Sequence, residues 1–236
     1  LDDVTQEVLK KGSCFGNNFH RNDLRLLLTV SAEALDNSLV KAQEEGFIIG
    51  DQETYFFAHD RIQQAVYGLI PSAEQKANHY DIGRQLFKTY SGEEEKIFDL
   101  LDQINYGLEL IEDVSERTSY AELNLQGGKL AKASTAYDAS ILYLERGLEF
   151  IRRDWTNHYA LVLELYTNLA EAYYLIGDYQ SMEVSILAVR QHGRGTHPAR
   201  RPDCLDRLLD RNPRGPGGAQ LGGGVRGTGM RGLRTG

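Results

Sequence analysis

Polar and apolar positions alternate at helical spacing over most of the first 190 residues. Val4, Val8, Leu9 and Cys14 predict an opening helix that stops around Gly12–Gly16, and Asp23, Leu24, Leu26 and Leu27 predict a short second one. A third is predicted from Ser31, a side chain suited to an N-cap, through the stripe Ala34, Leu35, Ser38, Leu39 and Ala42. Gly46 stands where a C′ residue with positive φ ends a helix. Two β-prone triplets follow, Phe47-Ile48-Ile49 and Tyr55-Phe56-Phe57, around the polar turn Gly50-Asp51-Gln52-Glu53. They predict a hairpin too short to stand alone.

The pattern then turns helical without a break. Asp60 is suited to cap a helix with Gln63 completing a capping box, and Ile62, Ala65, Val66, Leu69 and Ile70 form its apolar face. Pro71 interrupts it, and a further helix is expected from Ser72 to Tyr90. Three helices and a hairpin follow the order of a winged-helix domain. Residues 93–190 read as helical throughout. Tyr137 and Tyr179, each beginning an apolar helix after a turn, lie 42 positions apart. Tetratricopeptide repeats have a 34-residue period, so the excess falls naturally in a longer loop at 152–158. Gly127, Gly128, Ala131, Ala133 and Ala136 provide small side chains where paired helix axes approach. The helix expected at 158–176 is apolar on more than one face, which stacked repeats require.

The fold class expected is therefore mainly α: a winged-helix domain over 1–90 with a short β-hairpin, an antiparallel TPR-like solenoid over 91–192, and a disordered tail over 193–236. Composition supplies the last division. The tail holds nine of the Arg residues, three Asp, half of the 24 Gly and four of the five Pro, with no Phe, Tyr, Trp or Ile. Its charge of +6, taken from the total of −8, leaves −14 on residues 1–192. Such a segment buries too little apolar surface to offset its ordering entropy. Arg/Gly-rich composition suits RNA binding, but GC-rich codons and the abrupt break point to a shifted reading frame, and the tail is left out of the functional reading. With no methionine at its start, the chain is expected to be a piece of a longer protein.

Chemistry is sparse. There is no phosphate-binding loop before a helix, no G-x-S-x-G, no H-E-x-x-H and no C-x-x-C. His20, His59, His79, His158 and His192 pair nowhere at metal-ligand spacing. No run is apolar enough to span a membrane, and two cysteines make no disulfide framework, so a cytoplasmic protein without bound metal is expected. Residues 31–45, the recognition helix of a winged helix, carry Glu33, Asp36, Glu44 and Glu45 against Lys41, so no nucleic acid is expected as a partner. The dipeptide His59-Asp60 admits two readings from the residues alone. One is half of a phosphohydrolase metal pair, for which His79 does not supply the missing ligands; the other is a helix start, with Asp60 capping and His59 packed beside Tyr55 and Phe57.

Two stretches carry a resemblance. One is Tyr55-Phe56-Phe57-Ala58-His59-Asp60-Arg61-Ile62-Gln63-Gln64-Ala65-Val66-Tyr67-Gly68-Leu69-Ile70-Pro71, with His79 and Ile82-Gly83-Arg84-Gln85-Leu86 after it. The other runs from Ala121-Glu122-Leu123-Asn124-Leu125-Gln126-Gly127-Gly128-Lys129 to Tyr137. Both resemble the middle of large bacterial signalling proteins in which a serine/threonine kinase precedes an AAA-type (STAND) signalling ATPase, followed by helical repeats, a GAF domain and often a sensor histidine kinase. The resemblance covers about residues 1–190. It implies a regulatory fragment that couples nucleotide state to a helical arm, with the adjacent ATPase and kinase domains as its partners and ATP or ADP with Mg bound only in the parent. Phe57-Ala58-His59-Asp60 is similar to a motif whose His approaches the ADP phosphates, making His59 and Asp60 nucleotide-sensing candidates. The kinase domains, the GAF domain and the phosphate-binding loop are absent from these residues, and no catalytic residue is assigned. The arm is expected to bind an unidentified protein partner through Tyr143, Tyr166 and Tyr173 where they reach a concave surface, with core packing as the competing role. The alternatives are a stand-alone helical-repeat scaffold, a DNA-binding regulator, or an enzyme with an unrecognised centre.

Overall fold

A computed structural model describes residues 1–192 and residue 207, and the expectations for the Arg/Gly-rich tail lie outside the described residues. The described residues are mainly helical, with one small sheet near the N-terminus.

Helix α1 (Asp3–Ser13) starts at Asp2, whose carboxylate accepts the Thr5 N–H at 2.8 Å. Strand β1 (Asn18–His20) leads into α2 (Arg21–Leu27) and α3 (Ala32–Glu44). Ser31 caps α3 through its hydroxyl, which accepts the Ala34 N–H at 3.1 Å, and Gly46 ends it at φ +75°. Strands β2 (Ile48–Gly50) and β3 (Thr54–Phe57) form the expected hairpin, its turn held by Asp51 Oδ1, which accepts the N–H groups of Glu53 and Thr54. The hairpin does not stand alone. β1, which the sequence pattern did not reveal, pairs antiparallel with β3, giving the strand order β1-β3-β2 with Phe19 opposite Tyr55.

Phe19 explains why three residues suffice for that strand. Its ring stacks on Tyr55 (5.8 Å) and meets Phe57 edge-on (5.6 Å). It lies over Gly12, where an added Cβ would come within 2.9 Å of the ring. Phe19, Val8, Leu9, Leu24, Leu35, Leu39, Ile48 and Phe57 are all essentially buried in this first core.

Helices α4 (Asp60–Tyr67) and α5 (Ser72–Tyr90) flank Pro71 as expected, although Ala65 and Leu69 are exposed and only Val66 and Ile70 of the proposed apolar face are buried. α6 (Ile97–Tyr106), α7 (Val114–Ala133), α8 (Tyr137–Phe150), α9 (Tyr159–Ile176) and α10 (Tyr179–His192) complete the described chain. The helical run is broken at 107–113 and again at 151–158, the second break lying at the expected loop. Tyr137 and Tyr179 each start a helix, and Gly177 closes α9 at φ +80°.

Contacts fix the directions of these helices. An added Cβ on Gly128 would collide with Leu144 at 2.6 Å, and one on Gly147 would lie 3.3 Å from the Ala121 carbonyl, so α7 and α8 run antiparallel in close approach. A Cβ on Gly127 would collide with Leu101 of α6. Lys129 pairs with Glu164, and Lys132 with Asn168 (2.7 Å) and Glu171 (2.6 Å), so α7 and α9 run parallel. α9 is buried on two sides: Val162, Leu165, Leu169 and Ala172 join the large second core, while Tyr159, Leu163 and Ala170 join a third with Met182, Ile186 and Val189 of α10.

Packing passes through residue 90 without a gap. Ile82 and Leu86 of α5 belong to the second core with Ile97, Leu101 and Ile104 of α6, and Cys14 and Ile70 reach into it from the N-terminal side.

Candidate functional site

The strand-to-helix boundary at β3–α4 places His59 and Asp60 side by side on the surface, both exposed. The cap of α4 is His59 rather than Asp60: His59 Nδ1 accepts the Arg61 N–H at 3.1 Å. An accepting Nδ1 carries no proton, so in the neutral ring the hydrogen sits on Nε2 as a donor. Asp60 lies in the first helical turn, where its charge complements the helix dipole. Gln63 forms no capping box; its Nε2 donates to the Ser13 carbonyl at 2.8 Å and ties α4 to α1. Nor does His59 pack into the sheet, since Tyr55 and Phe57 turn inward around Phe19 while His59 stays outside.

Charge around α3 is internally paired. Arg21 chelates Asp36 through Nε and Nη2 (2.5 and 2.7 Å), and Lys41 holds Asp2 at 2.8 Å. The Arg21 guanidinium keeps the Asp36 carboxyl below its ordinary range.

The N-terminal elements meet α5 and α6 through buried polar groups. His79 and Gln103 are almost fully buried. Gln103 Nε2 donates to the Cys14 carbonyl at 3.0 Å, which turns Gln103 Oε1 toward His79 Nδ1 at 2.7 Å. A carbonyl accepts only, so this amide orientation is fixed and His79 Nδ1 must carry the hydrogen. His79 Nε2 then accepts from the Tyr67 hydroxyl at 3.0 Å. The Tyr106 ring lies 4.3 Å from the imidazole. Burial lowers the His79 pKa, Gln103 partly opposes this, and the Lys11 charge adds to the lowering. Burial likewise raises the Tyr67 phenol and pushes the Cys14 thiol up to about 11. On another side of the same joint, Lys96 Nζ lies 3.3 Å from both Asp23 and Asp99, over the Tyr90 ring. His20, Asp23, Glu53, Tyr90, Glu95, Lys96 and Asp99 line a cleft of about 450 Å³ there.

Sequence reasoning missed this joint. The available signal was polarity on an apolar stripe: His79 falls in line with Ile82, Gly83 and Leu86, and Gln103 lies among Ile97, Leu100, Leu101 and Ile104. A polar side chain on a buried face must find partners.

The three tyrosines are all engaged within the chain. Tyr143 is buried and stacked on Phe98 at 5.7 Å, and burial followed by the Asp102 charge raises its phenol to about 12. Tyr166 stacks flat on Trp155 at 5.6 Å. The Tyr173 hydroxyl donates to Glu145 at 2.6 Å, across α8 and α9. Among the described residues no group of His, Cys, Asp and Glu is placed to hold a metal ion. No described helix is long and apolar enough to cross a membrane.

Comparison with known proteins finds a distant relative that matches this chain over part of its own length. It is 25% identical over 248 aligned positions to hybrid signal transduction histidine kinase G of Dictyostelium discoideum, an alignment taking in 78% of this chain. The chain spans only 7% of that relative's length. No family model and no solved structure matches it.

Proposed function

We propose that the chain is a non-catalytic regulatory segment of a larger signalling protein, with residues 1–90 acting as a winged-helix switch and 91–192 as a TPR-like arm. The element order helix, strand, helix, helix, strand, strand, with the first strand beside the last, supports the winged-helix reading. Two antiparallel helix pairs, with α7 and α9 parallel and linked by contacts 35 and 36 residues apart, support the repeat reading. The observation that carries the functional proposal is His59, an exposed ring at the strand-to-helix boundary whose backbone-capping Nδ1 leaves Nε2–H as the donor.

In the parent, this donor would hydrogen-bond a phosphate oxygen of ADP held by a neighbouring ATPase core. His59 fits that role as one donor, while the phosphate-binding loop and Mg ligands must come from outside these residues. The bound diphosphate supplies the charge that Nε2–H contacts. Exchange of ADP for ATP would release the switch and reorient the arm, a two-state coupling set by differential contacts. The adjacent ATPase and kinase domains are the partners this requires, and the arm is where a further protein would dock. The signalling relative supports the setting but says nothing of the nucleotide.

The test is His59→Ala in the full-length parent. ADP retention should weaken roughly tenfold, the worth of one charge-assisted hydrogen bond, and basal signalling should rise. Unchanged ADP affinity with unchanged output would retire the proposal.

A further inference from the structure

The joint between the N-terminal elements and α5–α6 contains one titratable ring in an otherwise neutral hydrogen-bonded chain: Tyr67 hydroxyl, His79, Gln103, Cys14 carbonyl. Each link joins different elements. Tyr67 comes from α4, His79 from α5, Gln103 from α6, and Cys14 from the end of α1. In the neutral ring every polar atom has a complementary partner, Nδ1–H facing an acceptor and Nε2 facing a donor.

A proton added at Nε2 reverses that last polarity. Nε2–H then faces the Tyr67 hydroxyl hydrogen, and the hydroxyl must turn that hydrogen away before its oxygen can accept. Among the described residues no carboxylate pairs with the positive charge. The titratable and charged groups facing the ring are Lys11 and Cys14 from α1, Tyr67 from α4 and Tyr106 from α6. Lys11, its ammonium held by Asn78 Oδ1 on the adjoining turn of α5, adds repulsion. A buried cation facing another cation and two neutral phenols is held at high cost.

We propose that this chain of side chains is a proton-operated latch: protonation of His79 puts an uncompensated charge among Tyr67, Gln103 and Lys11 and loosens α5 and α6 from α1 and α4. The direction follows from linkage. A histidine harder to protonate in the closed joint than in the open one favours opening once protonated, so the latch is fully held above the ordinary imidazole value of 6.5 and weakens as pH falls below it. The proposal concerns this joint alone and does not require the nucleotide reading of His59.

The test uses the full chain with Cys204→Ser, so that Cys14 is the remaining thiol. Cys14 is 6% exposed and contributes the carbonyl at the end of the chain, so its labelling by dithiodipyridine reports opening. His79→Gln keeps hydrogen-bonding capacity and removes the proton. Rates are compared between the two proteins at about pH 5.5 and about pH 7.5, either side of the ordinary histidine range. The ratio of His79 protein to His79→Gln protein should rise as pH falls, up to about tenfold for each unit by which the ring's proton affinity is displaced. A ratio independent of pH overturns the latch. If His79→Gln does not fold, proton NMR of the unsubstituted ring decides: a His79 midpoint below 6.5 supports the latch, and one at or above 6.5 overturns it.

Discussion

The N-terminal unit and the helical arm reach comparable burial by different routes. In the first, large side chains from distant positions converge: Phe19 of β1 sits among Tyr55 and Phe57 of β3 and above Gly12 of α1. In the second, each helix packs largely on its neighbour in sequence, and the close approaches are made by having no side chain, at Gly127, Gly128 and Gly147. The joint uses a third means, paired polar groups at His79, Gln103, Asp23 and Lys96. Apolar seams resist opening in proportion to area, whereas a polar seam depends on each partner remaining complementary. The joint combines both, since Cys14 and Ile70 also reach the second core beside these polar pairs.

The largest expected effect tests the first route. Phe19→Ala removes a ring that is 1% exposed and contacted by two aromatic neighbours. The loss should be about 3 to 5 kcal/mol, the range for truncating a buried Phe. Urea unfolding followed by circular dichroism would measure it. A loss under about 1 kcal/mol would mean that β1 is not part of the cooperative core, and the contrast between the units would fail.

Gly128→Val addresses the arm and should cost somewhat less, about 3 kcal/mol, because helices can shift a little to admit a side chain. The clash is with Leu144, and the Ser140 hydroxyl, which donates to the Gly128 carbonyl at 2.7 Å, would move with it. Unfolding monitored by Trp155 fluorescence should respond to Gly128→Val more than to Phe19→Ala if the two units unfold separately. Equal responses would show one cooperative unit.

The same contrast explains what was legible in the sequence. Helices of the arm are local objects. Their apolar spacing, the Tyr137 and Tyr179 starts, the Gly177 stop and the small residues at 127 and 128 each speak for themselves, and the structure has them at those positions. Ser31 and Gly46 marked the ends of α3 for the same reason. β1 did not, because three residues, Asn18–His20, carry no period and become a strand only by pairing with β3 some 36 residues later. The cap of α4 was misassigned to Asp60, since Asp is the commoner cap and nothing local indicates that His59 Nδ1 takes the Arg61 N–H instead. As for the candidate residues, His59 could be placed at its boundary from the strand and helix patterns around it. The Tyr67–His79–Gln103–Cys14 chain could not, because it joins four elements whose proximity is a property of the whole fold.

The smallest expected effect separates apolar from ionic contributions within the arm. Lys132 of α7 reaches Asn168 and Glu171 of α9, the two groups 2.7 and 2.6 Å away, with the lysine mostly covered and Glu171 one-third exposed. Such a bridge lies between a surface pair and a buried one. Its Coulombic gain is reduced by solvent at Glu171 and by the cost of fixing a long side chain. Lys132→Met retains most of the aliphatic stem over the helix surface and removes only the charge. If Gly127, Gly128 and the second core hold α7 against its neighbours, Lys132→Met should cost under about 1 kcal/mol and the difference should shrink in high salt. A loss approaching that of Gly128→Val would mean that the bridge, rather than apolar burial, sets the register of α7 against α9, and the arm would then resemble the polar joint more than the core of the N-terminal unit.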